Sequence, residues 1–353
     1  MSRNPFPHRR PTPVTASALV DWLSMSMKVT QEAHLRHFGA LDYAKAMLDL
    51  PDKEIALKVP SQRIATSISI TAGDYAVHRL WGRTKVVYDV NPTLMQSLAD
   101  METGDALPGG ILRQLPHPNP VFVFPGGLPV LHKDQQPGIL RAMYVTGRTA
   151  ENHMCSTHDP KVDNYQLTFN SDLVDEQGMV VDMDSIRISV DLVEGSFTIK
   201  GLVDKIIDGY AWEPLLADNA STEQKRNYLE KLAEFGIAHL LYVCSEKADT
   251  VRKPVGRKQV KSGQRPEKPI QVHQLGWRIG PAIKAARERL ERERSTGGDG
   301  SRTVAPHIRR AHLHTFRYGK GRELSKVKWL PPLFVNAQGE EINLDGVIVP
   351  VQQ

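Results

Sequence analysis

The segment 119–132, NPVFVFPGGLPVLH, is the first of four segments that decide the fold. Its β-branched and aromatic residues are bounded by Asn, Pro and Gly, which is typical of a strand. Segments 138–148 (GILRAMYVTGR), 165–172 (YQLTFNSD) and 185–195 (SIRISVDLVEG) have the same character. We therefore predict a central, mainly antiparallel sheet within an α+β core that spans residues 111–250.

The residues before this sheet have apolar side chains at helical spacing. Four helical segments are predicted at 15–30, 31–50, 61–82 and 91–101. In the last of them, Asn91 can cap the first turn and Pro92 occupies a position that tolerates proline. We predict a helical N-terminal region over residues 15–110, preceded by a flexible basic arm at 1–14.

Helix returns after the sheet, at 221–246. Ser221 and Gln224 have the spacing of a capping box, in which each side chain bonds the backbone N–H of the other residue. A basic segment with Gly and Pro but no periodicity follows at 251–272, and we predict it to be a loop. A charged helix is then predicted at 276–294.

The sequence pattern of the C-terminal residues predicts strands. Segments 311–320 (AHLHTFRYGK) and 325–336 (SKVKWLPPLFVN) flank a Gly-Lys-Gly turn, and a further strand is expected within 341–351. The helix and the hairpin together form a predicted basic C-terminal module, residues 273–353. The fold class is thus α+β, with a helical N-terminal region, a central sheet and this module.

Composition places the chain among globular proteins. Of its 353 residues, 40% are hydrophobic and 24% are charged. The chain contains no apolar run long enough to span a membrane and no apolar segment typical of a signal peptide, so we expect a cytoplasmic protein without a membrane partner. The two cysteines, Cys155 and Cys244, are too few for a disulfide framework, which fits a reducing compartment.

Charge is distributed unevenly along the chain. Residues 151–220 carry 14 acidic against 4 basic side chains, whereas residues 251–330 carry 21 basic against 6 acidic ones. Such separation bears on partners rather than on fold. The basic third either contacts an anionic partner, such as RNA, or faces the acidic middle of the same molecule; the sequence leaves both open.

The segment 306–336, PHIRRAHLHTFRYGKGRELSKVKWLPPLFVN, concentrates histidine, arginine and aromatic residues. Arginine and lysine can bind phosphates or carboxylates, and aromatic rings can stack on bases or on a peptide. The candidate binding residues are His307, Arg309, Arg310, His312, His314, Arg317, Lys328, Trp329 and, from the preceding helix, Arg278. The alternative is an amphipathic strand pair whose cations lie over its apolar side, with Trp329 in the core.

Metal binding and catalysis are weaker interpretations of the same residues. His307, His312 and His314 are ligand types for zinc, but they lack a nearby carboxylate or thiol, and arginines flank them. His153, Cys155 and His158 form a second, equally incomplete set. His312 and His314 can also act as acid and base in RNA cleavage, which makes a ribonuclease the rival hypothesis. We expect no metal or cofactor, and no catalytic motif is present.

The segment 306–336 resembles the C-terminal signature of a type V-A anti-CRISPR family. In that signature Pro-His-Ile-Arg-Arg leads into His-x-His, a glycine turn, a strand with Trp and a Phe-Val-Asn end. Upstream, HQLGWRIGPAIKAAR and AHLLYVCSEKAD resemble further parts of the family. The resemblance covers residues 273–336 best. It points to Pro306, His307, Arg309, Arg310, His312, His314, Gly319, Lys328 and Trp329 as site residues.

The resemblance implies a phage or plasmid protein that evades host defence. It would lower production of the type V-A effector nuclease by recognising the N-terminal segment of the nascent effector and causing loss of its mRNA. The implied partners are that peptide and, alongside it, the translating ribosome or the message. Two positions depart from the family pattern: Leu313 stands where the family tends to have Trp, and Arg317 replaces an aromatic residue.

Overall fold

The computed structural model describes most of the chain from residue 62 onward. The described residues are 35–36, 62–101, 107–131, 137–150, 154–174, 180–192, 196–208, 221–254, 269–295, 307–322, 324–335, 341–342 and 344. The basic arm at 1–14, most of the two helices predicted before residue 51, and most of the strand predicted within 341–351 lie outside them.

The described residues form five α-helices and fifteen β-strands. The helices are α1 (Gln62–Thr84), α2 (Pro92–Ala99), α3 (Ile199–Asp208), α4 (Thr222–Val243) and α5 (Ile279–Ser295). The strands are β1 (Val86–Val90), β2 (Leu107–Pro108), β3 (Val121–Leu131), β4 (Pro137–Arg148), β5 (Met154–Cys155), β6 (Asn164–Val174), β7 (Val180–Asp191), β8 (Ser196–Phe197), β9 (Thr250–Lys253), β10 (Gln271–Leu275), β11 (His307–Arg309), β12 (His312–Tyr318), β13 (Leu324–Leu330), β14 (Leu333–Val335) and β15 (Glu341–Ile342).

The predicted sheet is confirmed and is larger than expected. Its strand order is β7-β6-β4-β3-β1-β10-β9, and the short β5 pairs with β4. The pairs along β7, β6, β4 and β3 are antiparallel, whereas β1 runs parallel to both β3 and β10. The α+β class is therefore confirmed, with parallel pairing confined to the strands around β1.

Helix α4 covers one face of this sheet. Its predicted capping box is present, because Ser221 Oγ accepts from the Gln224 N–H and the Gln224 side chain accepts from the Ser221 N–H. Gly236 brings the helix backbone close to Phe169 and Met143, so the helix packs tightly on β4 and β6. Burial of this apolar stripe against the sheet supplies most of the helix's stability.

Helix α1 covers the opposite face. Its Trp81 packs edge-on against Tyr144 of β4, with ring centroids 6.1 Å apart. Further along the helix, the buried Asp74 accepts a hydrogen bond from Ser185 Oγ at 3.0 Å and pairs with Arg187 of β7. The sheet thus has a helix packed on each face, and the buried Asp74 of α1 is partnered by Ser185 and Arg187.

Two predictions of local structure were wrong. The helical region predicted at 15–110 contains the strand β1, whose VVYDV sequence is β-branched and follows Lys85 in a left-handed conformation (φ 54°). The loop predicted at 251–272 has strands at both ends, because β9 and β10 pair with each other. The predicted limit at 272/273 falls inside β10, and the proposed division into domains stays a prediction.

The start of α5 packs closely on the start of α2. As predicted, Asn91 caps α2 by accepting from the N–H groups of Thr93 and Leu94. Gly276 has a φ of 72°, and an added Cβ there would lie 2.7 Å from Leu94 Cδ2. A Cβ at Gly280 would overlap Asn91 Oδ1. Glycine at 276 and 280 therefore permits the close packing of the two helix starts.

We predict that Gly280→Ala lowers the free energy of unfolding by about 1–3 kcal/mol, because the methyl group displaces the Asn91 cap. Urea denaturation followed by tryptophan fluorescence measures this. The matched control is Gly82→Ala in α1, where an added Cβ meets no heavy atom within 4 Å. That change should stabilise the protein by about 0.5 kcal/mol, since alanine favours helix. Equal effects at the two positions would contradict the packing.

His239 of α4 is a fully buried histidine of the core. Its Nδ1–H donates to the Phe235 carbonyl at 2.7 Å, and its ring lies against Phe124 and Phe235. Burial lowers its pKa to about 4. The folded state therefore holds His239 neutral, and protonation of this side chain favours the unfolded state.

We predict that His239 makes the protein acid-sensitive. Its contribution to stability is complete above its ordinary pKa of 6.5 and is lost as the pH falls toward about 4. Between pH 7 and pH 5 the loss amounts to about 2 kcal/mol. In a His239→Leu variant this part of the pH dependence should disappear, which urea denaturation across that range will show. Parallel pH profiles for the two proteins would refute the prediction.

Candidate functional site

Strands β12 and β13 form the predicted hairpin. They pair antiparallel over their full length, with His314 opposite Lys328 and Phe316 opposite Lys326. Gly319 and Gly321 adopt φ values of 83° and 72°, which favour glycine, so the Gly-Lys-Gly turn is explained by backbone conformation. The hairpin is a two-stranded sheet separate from the large one.

One side of this hairpin faces solvent and is called the aromatic–basic face below. It carries His312, His314, Phe316, Tyr318, Lys326 and Lys328. Phe316 and Tyr318 are 38% and 45% exposed, which is unusual for large apolar rings. The ring of His314 meets that of Phe316 edge-on, with centroids 4.3 Å apart. Adjacent aromatic and cationic groups thus share one surface.

Lys326, on the aromatic–basic face, is positioned by Tyr318 and Glu246. Lys326 Nζ lies 5.6 Å from the centre of the Tyr318 ring, a cation–π contact. The same Nζ pairs at 3.2 Å with Glu246, which follows α4. Both partners of this ion pair are substantially exposed, so the pair contributes little stability and leaves Lys326 able to meet an incoming anion.

The other side of the hairpin faces the core. Trp329 is 4% exposed and packs edge-on against Tyr242 of α4, with ring centroids 5.1 Å apart. Leu313, its partner across the strands, is half-buried against the same core. Of the two interpretations left open for Trp329, the structure supports the core position, and this side chain anchors the hairpin. Arg317 follows Leu313 by four residues and is exposed near the turn.

Three further candidates precede the hairpin. His307 and Arg309 lie on β11, which pairs with β14 in a three-stranded sheet with β15. Arg310 connects β11 to β12 and is exposed, as is Arg309, while His307 is half-buried. Pro306 lies outside the described residues. The structure thus brings the histidines and lysines of the hairpin together and places the β11 residues on a neighbouring sheet.

Arg278 has a structural role, and its predicted binding role stays a prediction. Its Nε donates to Asp249 Oδ1 at 2.9 Å, and its side chain also stacks over the Trp277 ring at 5.2 Å. Asp249 Oδ2 accepts the backbone N–H groups of Arg278 and Ile279 at 2.8 and 2.9 Å. The fully buried Asp249 carboxylate thus caps α5, and Arg278 neutralises it.

Sequence reasoning missed a cluster formed by Tyr88, His117 and His273. Tyr88 Oη and His117 Nδ1 are hydrogen-bonded at 2.7 Å, and the two histidine rings lie 4.2 Å apart. Burial, followed by the nearby His117 and Arg252, lowers the pKa of His273 to about 4. Burial also lowers the pKa of His117. No local motif signals this cluster, because Tyr88 and His273 meet through the pairing of β1 with β10 and His117 reaches them from the bend before β3.

The described residues contain neither a metal-binding cluster nor a helix suited to cross a membrane. No three histidine, cysteine or acidic side chains among the described residues stand close enough to hold a metal ion. In the same part of the chain, no helix combines the length and the apolar character needed to cross a membrane. Cys155 and Cys244 are both free thiols.

Comparison with known proteins gives three findings. The model of an AcrVA2-like family, described as the anti-CRISPR type V subtype A2 family, matches residues 88–337, more than two thirds of the chain. The crystal structure of AcrVA2 is similar to the chain with a TM-score of 0.45 at 16% sequence identity; the match covers 91% of this chain and 95% of that one. No curated protein matches the chain.

We predict that Arg278→Ala lowers the free energy of unfolding by about 2 kcal/mol, because the buried Asp249 carboxylate loses its countercharge. Arg317→Ala serves as the control and should change stability by less than about 0.5 kcal/mol, since its side chain is exposed. Urea denaturation compares the two variants. If both leave stability unchanged, the assignment of Arg278 to the capping network fails.

Proposed function

This chain belongs to the AcrVA2-like anti-CRISPR type V subtype A2 family, and on that premise we propose how it acts. It recognises the N-terminal segment of a type V-A CRISPR effector as that segment emerges during translation, and the effector mRNA is then lost. The C-terminal residues supply the contact with the translating complex. The protein acts in the cytoplasm of the bacterial host, where translation takes place.

The aromatic–basic face is the observation that supports this proposal. It lies inside the matched residues 88–337 and is displayed on a hairpin that Trp329 fixes to α4. A surface held rigid from behind loses little conformational freedom when it binds, which favours recognition. The exposed rings suit contacts with an unfolded chain or with bases, and the lysines suit phosphates.

A reporter experiment separates recognition of the peptide from recognition of its message. The first segment of the effector gene is fused to a reporter and co-expressed with this protein, and reporter mRNA is quantified. A synonymously recoded segment keeps the peptide and alters the RNA; a frame-shifted segment keeps nearly all of the RNA and alters the peptide. We expect several-fold loss of mRNA with the original and the recoded segments, and none with the frame-shifted one.

Two further arms decide the outcome. Removing the start codon should abolish the loss, because recognition requires a nascent chain. Loss that follows the RNA sequence, or that persists without translation, would overturn the proposal. Lys200→Ala, which removes an exposed cation on α3, should leave the loss of mRNA unchanged, because α3 lies outside the aromatic–basic face.

The rival is direct RNA cleavage by His312 and His314. The observation in its favour is that both side chains are exposed on the same face, with Lys328 opposite His314. Two imidazoles can act as acid and base on a phosphodiester that a lysine holds. Incubation of the purified protein with effector mRNA, without ribosomes and with EDTA, tests it. Cleavage that disappears in a His312→Ala/His314→Ala variant would favour the enzyme.

A further inference from the structure

We propose that the aromatic–basic face is a stacking platform for single-stranded RNA. Bases lie on Phe316, Tyr318 and His314, and the phosphates between them meet Lys326 and Lys328. This inference rests on the proposed function for its biological setting, because a translating complex presents single-stranded message. It concerns a different partner from the nascent peptide, and it can be tested without translation.

The backbone positions of the ring-bearing residues suit a row of unstacked bases. His314, Phe316 and Tyr318 are alternate residues of β12, so their Cα atoms follow one another at about 6.6–6.8 Å along one side of the strand. Sheet-borne aromatic residues at such positions stack two or three bases in proteins that bind single-stranded RNA. Each base has a π-face, so the platform tolerates many sequences.

The positive charge of the hairpin region favours an anionic ligand. Residues 307–330 contain seven lysines and arginines against a single glutamate. Lys328 and Lys326 lie directly opposite His314 and Phe316, so two of the three stacking positions have a cation across the strand pair. Tyr318 is opposite Leu324, and its ring has Lys326 Nζ 5.6 Å from its centre. The Lys326–Glu246 ion pair is exposed on both sides, and a phosphate can replace the carboxylate at little cost.

The same geometry disfavours other polyanions. Base pairs in duplex RNA are stacked on each other, so their faces are closed to Phe316 and Tyr318. An acidic peptide would satisfy the lysines but would leave two large rings without a matching surface. Single-stranded RNA uses both the rings and the cations, and it is therefore the occupant that we assign.

Fluorescence anisotropy with a labelled oligouridylate and the purified full-length chain tests the platform. We expect salt-dependent binding, with about tenfold weaker affinity at 200 mM than at 50 mM NaCl if two or three phosphates are neutralised. Phe316→Leu, which keeps an apolar side chain but removes the ring, should weaken binding about tenfold. Phe316→Tyr should restore it. The corresponding RNA duplex should bind markedly less tightly than the single strand.

Matched cation variants locate the phosphates. Lys328→Ala should weaken binding and reduce the salt dependence, whereas Lys200→Ala, on α3, should do neither. Binding that is salt-dependent but indifferent to the Phe316 ring would overturn the platform, as would equal binding of duplex. No binding of either RNA would also overturn it. Because no ribosome is present, failure here leaves the reporter result for nascent-chain recognition intact, and the reverse also holds.

Discussion

One buried residue, Asp249, connects the parts of the structure on which the candidate surface depends. Its side chain caps α5 and pairs with Arg278, while its carbonyl accepts the Gly276 N–H at 2.8 Å. Its own N–H donates to Tyr242 Oη at 3.1 Å. Tyr242 in turn packs against Trp329 of the hairpin. The end of α4, the start of α5 and the hairpin therefore meet around one residue.

This arrangement constrains the hairpin from one side only. A two-stranded sheet has marginal stability in water unless something covers one of its faces. Here Trp329 and Leu313 supply the covered side, so the alternation of the strand leaves His314 and Phe316 exposed on the other. Exposure of aromatic rings to solvent is unfavourable. Here it accompanies the burial of Trp329 and Leu313 on the opposite side of the hairpin. Burial of these two anchoring side chains offsets the free-energy cost of the exposed rings.

Local signals in the sequence predicted local structure well. The capping box at Ser221, the Asn91 cap and the hairpin with its glycine turn were all recognised, because each depends on residues close together in the chain. The parallel pairing of β1 with β10 was not, since it joins residues about 185 positions apart and β1 is short. The Asp249–Arg278 pair and the Tyr88–His117–His273 cluster were not predicted either, because their members are also far apart in the chain.

For the candidate site, the sequence singled out the segment 306–336 but did not show which side of each strand faces outward. Trp329 and Lys328 are neighbours in the chain, yet one lies in the core and the other opposite His314. Register supplies this distinction: Trp329 pairs with Leu313, and residues opposite each other in a sheet share a face. The pairing could have been deduced by placing the apolar residue of the first strand against that of the second.

The same geometry explains why the two departures from the family signature leave the candidate surface intact. Leu313 stands where the family tends to have Trp, but it packs on the core side beside Trp329, so the change alters the anchor. Arg317 alternates with Leu313 on that side and becomes exposed only near the turn. His314, Phe316 and Tyr318 occupy the other side and are untouched by either change. A difference in the anchor affects how firmly the hairpin is held, whereas the chemistry offered to a partner stays with the rings and lysines of the aromatic–basic face.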